Sequence, residues 1–410
     1  MRDLDNKVMI HGVARELLML MASGSTHMES RPFVQRTQDY LDPDLFELEK
    51  RALFRKLPLV MAFTADMPSP GDWRVHDDTD VPVLIVRTKS GKVRAFLNAC
   101  RHRGAKLTAA PCGNQKRFTC PYHAWTYDAE GRLIGVPAEG VFGDIDRKSL
   151  GLVEFPAEER AGMIFVVPEA GGDLDLDALL GEGGPDLAGW HFERNTFIGE
   201  RDLVTPANWK LALDTYCENY HFQVLHAEAF GPYKVPNCAH HWRWGHRSRN
   251  WTLAWPSKSL ESMRNVPEAE WGDIHDHFSM LHFIFPNTVI AMYPDSCTLM
   301  QPYPGKNVRE QHTRMRYYSR TPNPTPEKAK MINARLETFY HVLQNEDYLM
   351  VETAFRSIQT GLLPEIIFGR NEPALAWLHE SLDEAVRGNG APMGAARAVD
   401  SAPASRAAVA

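Results

Sequence analysis

Hydrophobic and polar positions change their period several times along this chain, and each change predicts an element. Residues 41–56 read as a short helix, opened by Asp42-Pro43 and carrying Leu45, Phe46, Leu48 and Leu53 at its apolar positions. From Val81 the pattern becomes strand-like. Val83-Leu84-Ile85-Val86 and Val93-Arg94-Ala95-Phe96-Leu97 are joined through Lys89-Ser90-Gly91-Lys92, a hairpin signal. Trp125-Thr126-Tyr127 and Arg132-Leu133-Ile134 are joined in the same way through Asp128-Ala129-Glu130-Gly131. Met163-Ile164-Phe165-Val166-Val167 predicts a further strand, so residues 57–167 are expected to form an all-β unit. The acidic, Gly-rich residues 169–187 predict a surface segment between domains. Beyond Phe197, helices are expected near 206–225 and 325–360, with strand-like runs such as Phe283-Ile284-Phe285 and Thr288-Val289-Ile290 between them. The stretch from Gly388 to Ala410, rich in Ala, Gly, Pro and Ser, predicts a disordered tail. No internal repeat is visible.

Composition narrows the class. A chain of 410 residues exceeds what one hydrophobic core normally serves, which predicts two domains. A net charge of -7, with no Lys/Arg-rich run, argues against a nucleic-acid surface. Six cysteines are too few for a disulfide scaffold at this length, so a reducing compartment, the cytoplasm, is expected. No apolar run reaches the length of a membrane span. Leu17-Leu18-Met19-Leu20-Met21-Ala22, the nearest candidate, is only six residues long and follows Arg15-Glu16. Its sequel at 23–28 reads as a linker, with Met28 as the natural start. Residues 1–30 are therefore expected to be a tag or disordered extension outside the fold.

The first candidate chemistry is a set of four soft ligands. Cys100-Arg101-His102 is followed, after 17 intervening residues, by Cys120-Pro121-Tyr122-His123. Zinc accepts two Cys and two His, but commonly from a Cys-x₂₋₄-Cys pair and a His pair on a helix. Here each loop supplies one Cys and one His beside a predicted hairpin. A Rieske [2Fe–2S] centre places two Cys on one iron and two His on the other, which suits that delivery better. Cys112 falls outside ligand spacing and is read as a packing residue.

The second runs from Asn208-Trp209-Lys210 to His226. On a continuous helix Asp214, Glu218 and His221 share one face, at spacings of four and three. His226 lies roughly 140° around from His221, so both can bind one ion only if the helix ends or distorts near Val224. Two His and a carboxylate form the facial triad of non-haem Fe(II) oxygenases. Two ordinary histidines near a helix end are the bland alternative.

Both sites resemble those of one family. Cys-Arg-His-Arg-Gly-Ala (100–105) and Cys-Pro-Tyr-His-Ala-Trp-Thr-Tyr (120–127) resemble the cluster loops of Rieske non-haem iron oxygenases, the α (oxygenase) subunits of the aromatic-ring-hydroxylating dioxygenase family. Respiratory Rieske proteins carry an additional disulfide-forming cysteine on each loop, where this chain has Ala105 and Tyr122. Asn208-Trp209-Lys210, Glu218, His221 and His226 resemble the family's second signature. The resemblance implies Cys100, His102, Cys120 and His123 as [2Fe–2S] ligands, and His221 and His226 as ligands of a mononuclear Fe(II). It implies a third iron ligand, Asp347, within Gln344-Asn345-Glu346-Asp347-Tyr348-Leu349-Met350. Glu346 is the adjacent competitor, and a solvated acidic pair is the alternative to both. The family often has Asp three residues before the first His ligand; this chain has Glu218. In relatives that carboxylate joins a Rieske histidine of one subunit to the iron-binding histidine of the next. Glu218, with Asp214 beside it, is therefore expected to link the two centres, which implies a homotrimer.

What the resemblance implies about the whole is an α+β protein. Its parts are an all-β Rieske domain at 57–167 and a larger catalytic domain at 31–56 and 168–387, with an antiparallel sheet and helices of helix-grip (START-like) type. It implies a terminal oxygenase that uses O₂ to hydroxylate an aromatic or other small organic substrate. Whether one or two oxygen atoms enter, whether hydroxylation ends in demethylation, and whether a β subunit is present stay open. No Gly-x-Gly-x-x-Gly unit for NAD or flavin occurs, so electrons are expected from a separate NAD(P)H-dependent reductase, with or without a ferredoxin. Phe222, Leu225, Phe283-Ile284-Phe285 and Met292-Tyr293 are the expected pocket. Trp251 and Trp255 would suit a cage for a quaternary ammonium. His240, His241 and His246 read as a solvated loop. The competing classes are an electron-transfer protein without catalytic iron and a zinc-stabilised binding protein.

Overall fold

The computed structural model describes residues 6–229 and 231–388, so all of the expected tail but Gly388 lies outside the described residues. The first helix expected from the sequence forms at Pro43–Phe54. Pro43 opens it and the Asp42 carboxylate accepts from the amides of Asp44 and Leu45. It buries Phe46, Leu53 and Phe54, while Leu48 stays exposed.

Residues 59–166 are all β. One antiparallel sheet has the order Glu154–Phe155, Val93–Leu97, Val83–Arg87, Asp72–His76, Cys112–Asn114. A second joins Ala157–Arg160, Met163–Val166 and Leu59–Phe63, and a third joins Arg117–Thr119, Thr126–Asp128 and Leu133–Gly135. The turn before Leu133 requires glycine. Gly131 has φ +76°, and a Cβ there would meet the Phe96 ring at 2.5 Å. Cys112 lies on an edge strand and is exposed, so it is not the packing residue the sequence suggested.

The rest of the chain is organised by a seven-stranded antiparallel sheet. Its order is Thr196–Thr205, Gln311–Ser319, Ser296–Pro304, Thr288–Met292, Phe278–Ile284, Asn250–Pro256, His240–Trp244. Alternating residues divide between two cores. One face packs Trp251, Leu253, Leu281 and Phe283 against Trp209, Leu213 and Tyr216. The other face packs Ala254, Met280, Ile290 and Leu299 with Ile10, Val13 and Leu17.

That last contact corrects the expectation for residues 1–30. Lys7–Ser23 is a helix whose buried positions include Ile10, Val13, Ala14, Leu17 and Leu18, a helical stripe covering the sheet. The residues after it are tied down too. Thr26 exchanges hydrogen bonds with Ala239, and the His27 amide donates to the Ala239 carbonyl at 2.9 Å. A search for one continuous apolar run passed over a stripe interrupted by polar residues. The acidic segment at 169–187 lies mostly on the surface, and Leu176, Leu180 and Leu187 anchor it in the same core. His240 and His241 belong to a strand rather than a solvated loop; His241 is buried near Trp377 and His27.

An ionic cluster ties the β unit to the large sheet. Asp78 accepts from Arg314 Nη2 at 2.7 Å, lies 3.2 Å from His312 Nε2, and its other oxygen lies 3.6 Å from His76 Nε2. Burial pushes the Asp78 carboxyl up, but the His312 bond and the charges of His76, Arg314 and Arg316 outweigh it and hold the group well below the usual carboxylate range. Asp78→Asn leaves that cluster uncompensated and is expected to cost about 3 kcal/mol at pH 7. A carboxyl depressed in the folded state stabilises above its unfolded pKa, near 4, and loses that contribution as pH falls. Urea unfolding should therefore show the gap between wild type and variant narrowing from pH 6 toward pH 3.

Candidate metal centres

The two Cys/His loops are built alike. The Cys100 amide donates to the Ala105 carbonyl at 2.8 Å, and its carbonyl accepts from Gly104 at 2.9 Å. The Cys120 amide donates to the Trp125 carbonyl at 2.8 Å, and its carbonyl accepts from Ala124 at 3.0 Å. Each turn passes through a left-handed residue, Gly104 at φ +74° and Ala124 at φ +56°. The loops face one another, with the His102 and His123 rings 4.6 Å apart and His102 stacked on Trp125 at 5.1 Å. Both thiols are buried, whereas His123 is exposed. Tyr127 stands behind them, accepting from the Arg101 amide at 3.0 Å and lying 3.5 Å from Cys100 Sγ. His102 Nδ1 is buried without a hydrogen-bond partner. Two buried thiols and an unpartnered imidazole nitrogen are what a bound cluster would require, and the residues fit one.

The second group forms where the sequence expected one helix and the structure has several pieces. The helix is only Trp209–Asp214, capped by Asn208, whose side chain accepts from the Lys210 amide. Trp209 Nε1 and the Lys210 ammonium both engage buried Glu49, fixing this helix to Pro43–Phe54. Past Asp214 the chain leaves the helix and returns only as a tight turn at Tyr220–Gln223. Glu218 ends the helical path by accepting from the Tyr220 and His221 amides, an alternative to helix bonding. The shared helical face of Asp214, Glu218 and His221 therefore does not exist. Asp214 instead bonds Tyr40 Oη at 2.8 Å and His379 Nε2 at 2.9 Å.

Breaking the helix lets both histidines point at one place. His221 Nε2 lies 3.4 Å from Asp347 Oδ1, and His226 Nε2 lies 3.3 Å from Asp347 Oδ2. Ligand atoms of these three residues lie within 4.8 Å of one another, the one such group found among the described residues. Asp347 closes a π-helical turn, Leu343–Asp347, between the helices Pro326–Val342 and Tyr348–Ile358. Such single turns often mark functional sites, because they reorient a side chain within a continuing helix. Asp347 is buried, and its Oδ2 makes no hydrogen bond.

The outer nitrogens of both histidines are also held. His221 Nδ1 pairs with Glu218 Oε1, and His226 Nδ1 lies 2.6 Å from Glu346 Oε2. Glu346 thus stands behind a histidine, not among the converging ligand atoms. Such outer partners fix which nitrogen faces inward. Burial alone would lower the His221 pKa, but the Asp347 and Glu218 carboxylates raise it to about 10. Asp347 itself is pushed up by burial and pulled further down by His221 and His226. The ionised Asp347 favours protonated rings at His221 and His226, so a cation binding there would displace protons, and the donor set suits Fe(II).

The wall beside the triad is aromatic. Phe222 lies 4.9 Å from His221, 5.5 Å from His226 and 5.4 Å from Trp255, measured between ring centres. Trp251 is stacked on Phe283 at 4.9 Å and fully buried, on the same core face as Trp255. Met292 faces the opposite core, which removes it from the expected pocket. Sequence reasoning missed the Glu346–His226 pair and the Tyr216–Tyr348 hydroxyl pair, at 3.0 Å, beside Asp347. Neither left a signal in local spacing.

Two domain families match this chain. A Rieske [2Fe-2S] domain description matches residues 58–150, and the catalytic domain of the ring hydroxylating alpha subunit matches 192–388. The biphenyl 2,3-dioxygenase subunit alpha of Rhodococcus jostii (strain RHA1) is 36% identical over 190 residues, 44% of this chain and 41% of that protein. The glycine betaine monooxygenase oxygenase subunit of Chromohalobacter salexigens is 31% identical over 210 residues, 51% of this chain and 45% of that protein. The chain thus spans less than half the length of these curated relatives in the matched region. A quaternary ammonium Rieske monooxygenase in complex with L-carnitine superposes with a TM-score of 0.72 at 21% identity, covering 86% of this chain and 95% of that one. Naphthalene 1,2-dioxygenase with indole bound gives 0.68 at 20%, covering 86% and 92%.

An all-β unit with paired Cys/His loops, joined to a sheet-and-helix domain with a His/His/Asp triad, defines a Rieske-domain protein with a second metal site. The chain belongs to the family of Rieske-domain-containing, ring-hydroxylating-type oxygenase alpha subunits. Its cofactor sites are those of the family, a Rieske [2Fe–2S] domain and a His/His/Asp site for mononuclear iron.

Proposed function

We propose that this chain is a terminal oxygenase that uses O₂ and externally supplied electrons to hydroxylate a small organic substrate. The observation that carries this is the convergence of His221, His226 and Asp347 on one point, with a carboxylate behind each histidine. On this reading Cys100, Cys120, His102 and His123 hold the cluster, and His221, His226 and Asp347 hold Fe(II). A triad of this type supplies O₂ activation, since it leaves coordination positions open. Glu218 and Glu346 hold the outer nitrogen of each imidazole, so that its inner nitrogen faces the site and would ligate once Fe(II) displaced its proton. Phe222 and Trp255 offer the substrate an apolar wall and exclude water from it. Glu218 also joins His221 to His102 or His123 of a neighbouring copy, in a homotrimer served by a separate reductase, directly or through a ferredoxin.

The reading is tested on anaerobically purified protein by iron, zinc and acid-labile sulfide analysis, with EPR of the reduced sample. About three irons and two sulfides per chain, with a Rieske-type signal, are expected. Zinc without sulfide would sink the proposal, as would a cluster with no further Fe(II) bound even after iron is added back.

A further inference from the structure

The aromatic wall contains a cation that the reading above leaves without a role. Lys234 forms an isolated bridge with Ser257, and its Nζ donates to Ser257 Oγ at 3.0 Å and Ser279 Oγ at 2.7 Å. The same atom lies 5.9 Å from the Trp255 ring centre. Ser279 is the cross-strand partner of Trp255, and it alternates with Leu281 and Phe283 along its strand. These groups therefore share the sheet face that packs toward Trp209 and Tyr216. From Trp255 the contacts continue through Phe222 to His221 and His226. One line of side chains connects the ammonium to the triad.

Among the described residues no carboxylate pairs with this ammonium. Lys210, also enclosed, is answered by the Glu49 carboxylate. Lys234 meets two neutral hydroxyls and a ring, and burial draws its pKa down to about 8 with no acidic side chain opposing. A part-buried ammonium without a carboxylate beside it costs free energy that hydroxyl acceptors return only in part. A Met would fill similar space without that cost. The ammonium has three N–H donors, and the two serines take two of them. The serines also aim Nζ inward, where a lysine serving only solubility would extend to solvent. The third N–H donor remains for a small anion lying beside Trp255.

We propose that Lys234 is a specificity-determining residue that receives a carboxylate of the substrate, making this a hydroxylase of small organic acids whose apolar part lies along Trp255 and Phe222. The inference rests on the oxygenase reading. Ser257 and Ser279 hold the amine in place before binding, so little ordering is needed when the acid arrives.

The test is calorimetric titration of the loaded protein with acid and amide pairs of matched shape: benzoate and benzamide, phenylacetate and phenylacetamide, butyrate and butyramide. Wild type is expected to bind the acid of at least one pair about tenfold or more tightly than its amide. Lys234→Met should lose that preference and Lys234→Arg should keep it, both with unchanged iron and sulfide content. No acid preference in any pair, or a preference that survives Lys234→Met, would overturn the proposal. A lysine with only a structural role lowers the melting temperature of Lys234→Met and leaves the preference intact. Should that variant not fold, Lys234→Gln, which keeps a donor but not the charge, decides between the same outcomes. Wild-type protein lacking the cluster or Fe(II) would instead refute the oxygenase reading, so the two failures register in different measurements.

Discussion

Asp347→Ala should abolish product formation, with a loss of at least about a thousandfold, while the visible and EPR spectra of the Rieske cluster stay unchanged. The reason is geometric. Asp347 presents one oxygen to each imidazole, at 3.4 and 3.3 Å, and it is the carboxylate placed between them. Without it two neutral nitrogens remain, a set too weak to retain Fe(II) against solvent. Iron should therefore fall from about three to about two per chain, with sulfide unchanged. Metal analysis alongside O₂-dependent product formation checks both halves. An Asp347→Ala protein that keeps its third iron would remove Asp347 from the ligand set and return Glu346 to consideration. Because Asp347 is buried, far-UV circular dichroism and the melting temperature serve as the control for folding beside the cluster spectrum.

Glu218→Gln is expected to lower turnover by about 10- to 100-fold, the range for removing a partner behind a metal-binding histidine. Glutamine preserves the size of the side chain and can still reach the Tyr220 and His221 amides that Glu218 now bonds. It cannot match the negative charge beside His221 Nδ1, one of two carboxylates that raise the pKa of that ring. The loss should persist when excess Fe(II) restores full iron content, and Glu218→Asp should recover part of it. Rates of cluster reoxidation with substrate and O₂, measured at equal iron loading, distinguish the variants. A Glu218→Gln protein with wild-type rates at full iron would show that Glu218 serves only as the local cap of the Tyr220–Gln223 turn.

Much of this protein was legible from its sequence because the relevant information is local. The two Cys/His loops are each closed by hydrogen bonds within six residues, so their spacing carries their geometry. Hairpins such as Val83–Arg87 with Val93–Leu97 form between neighbouring segments, and their alternation and turn residues survive without context. The region around His221 and His226 was harder. A helical reading of 206–225 follows from apolar spacing, yet the helix stops at Asp214 and Glu218 captures the backbone amides that would continue it. The N-terminal helix was misread for another reason. Its Ile10, Val13, Ala14, Leu17 and Leu18 recur at helical spacing, a signal present in the sequence that a test for one continuous apolar run does not register.

Ligand types, their pairing on two loops, the His-x₄-His motif and the alternating strands are readable along the chain, since each depends on covalent spacing of a few residues. Tertiary structure decided which carboxylate meets the histidines. Asp347 and Glu346 are adjacent and chemically alike, and the π turn that ends at Asp347 places it between the two rings while Glu346 supports His226 from behind. Tertiary structure also placed Lys234 against Trp255 on the inner face of the sheet and separated Met292 from the site. Distances between segments far apart in the chain are set by how whole faces pack, and packing is a property of surfaces that only the folded chain brings together.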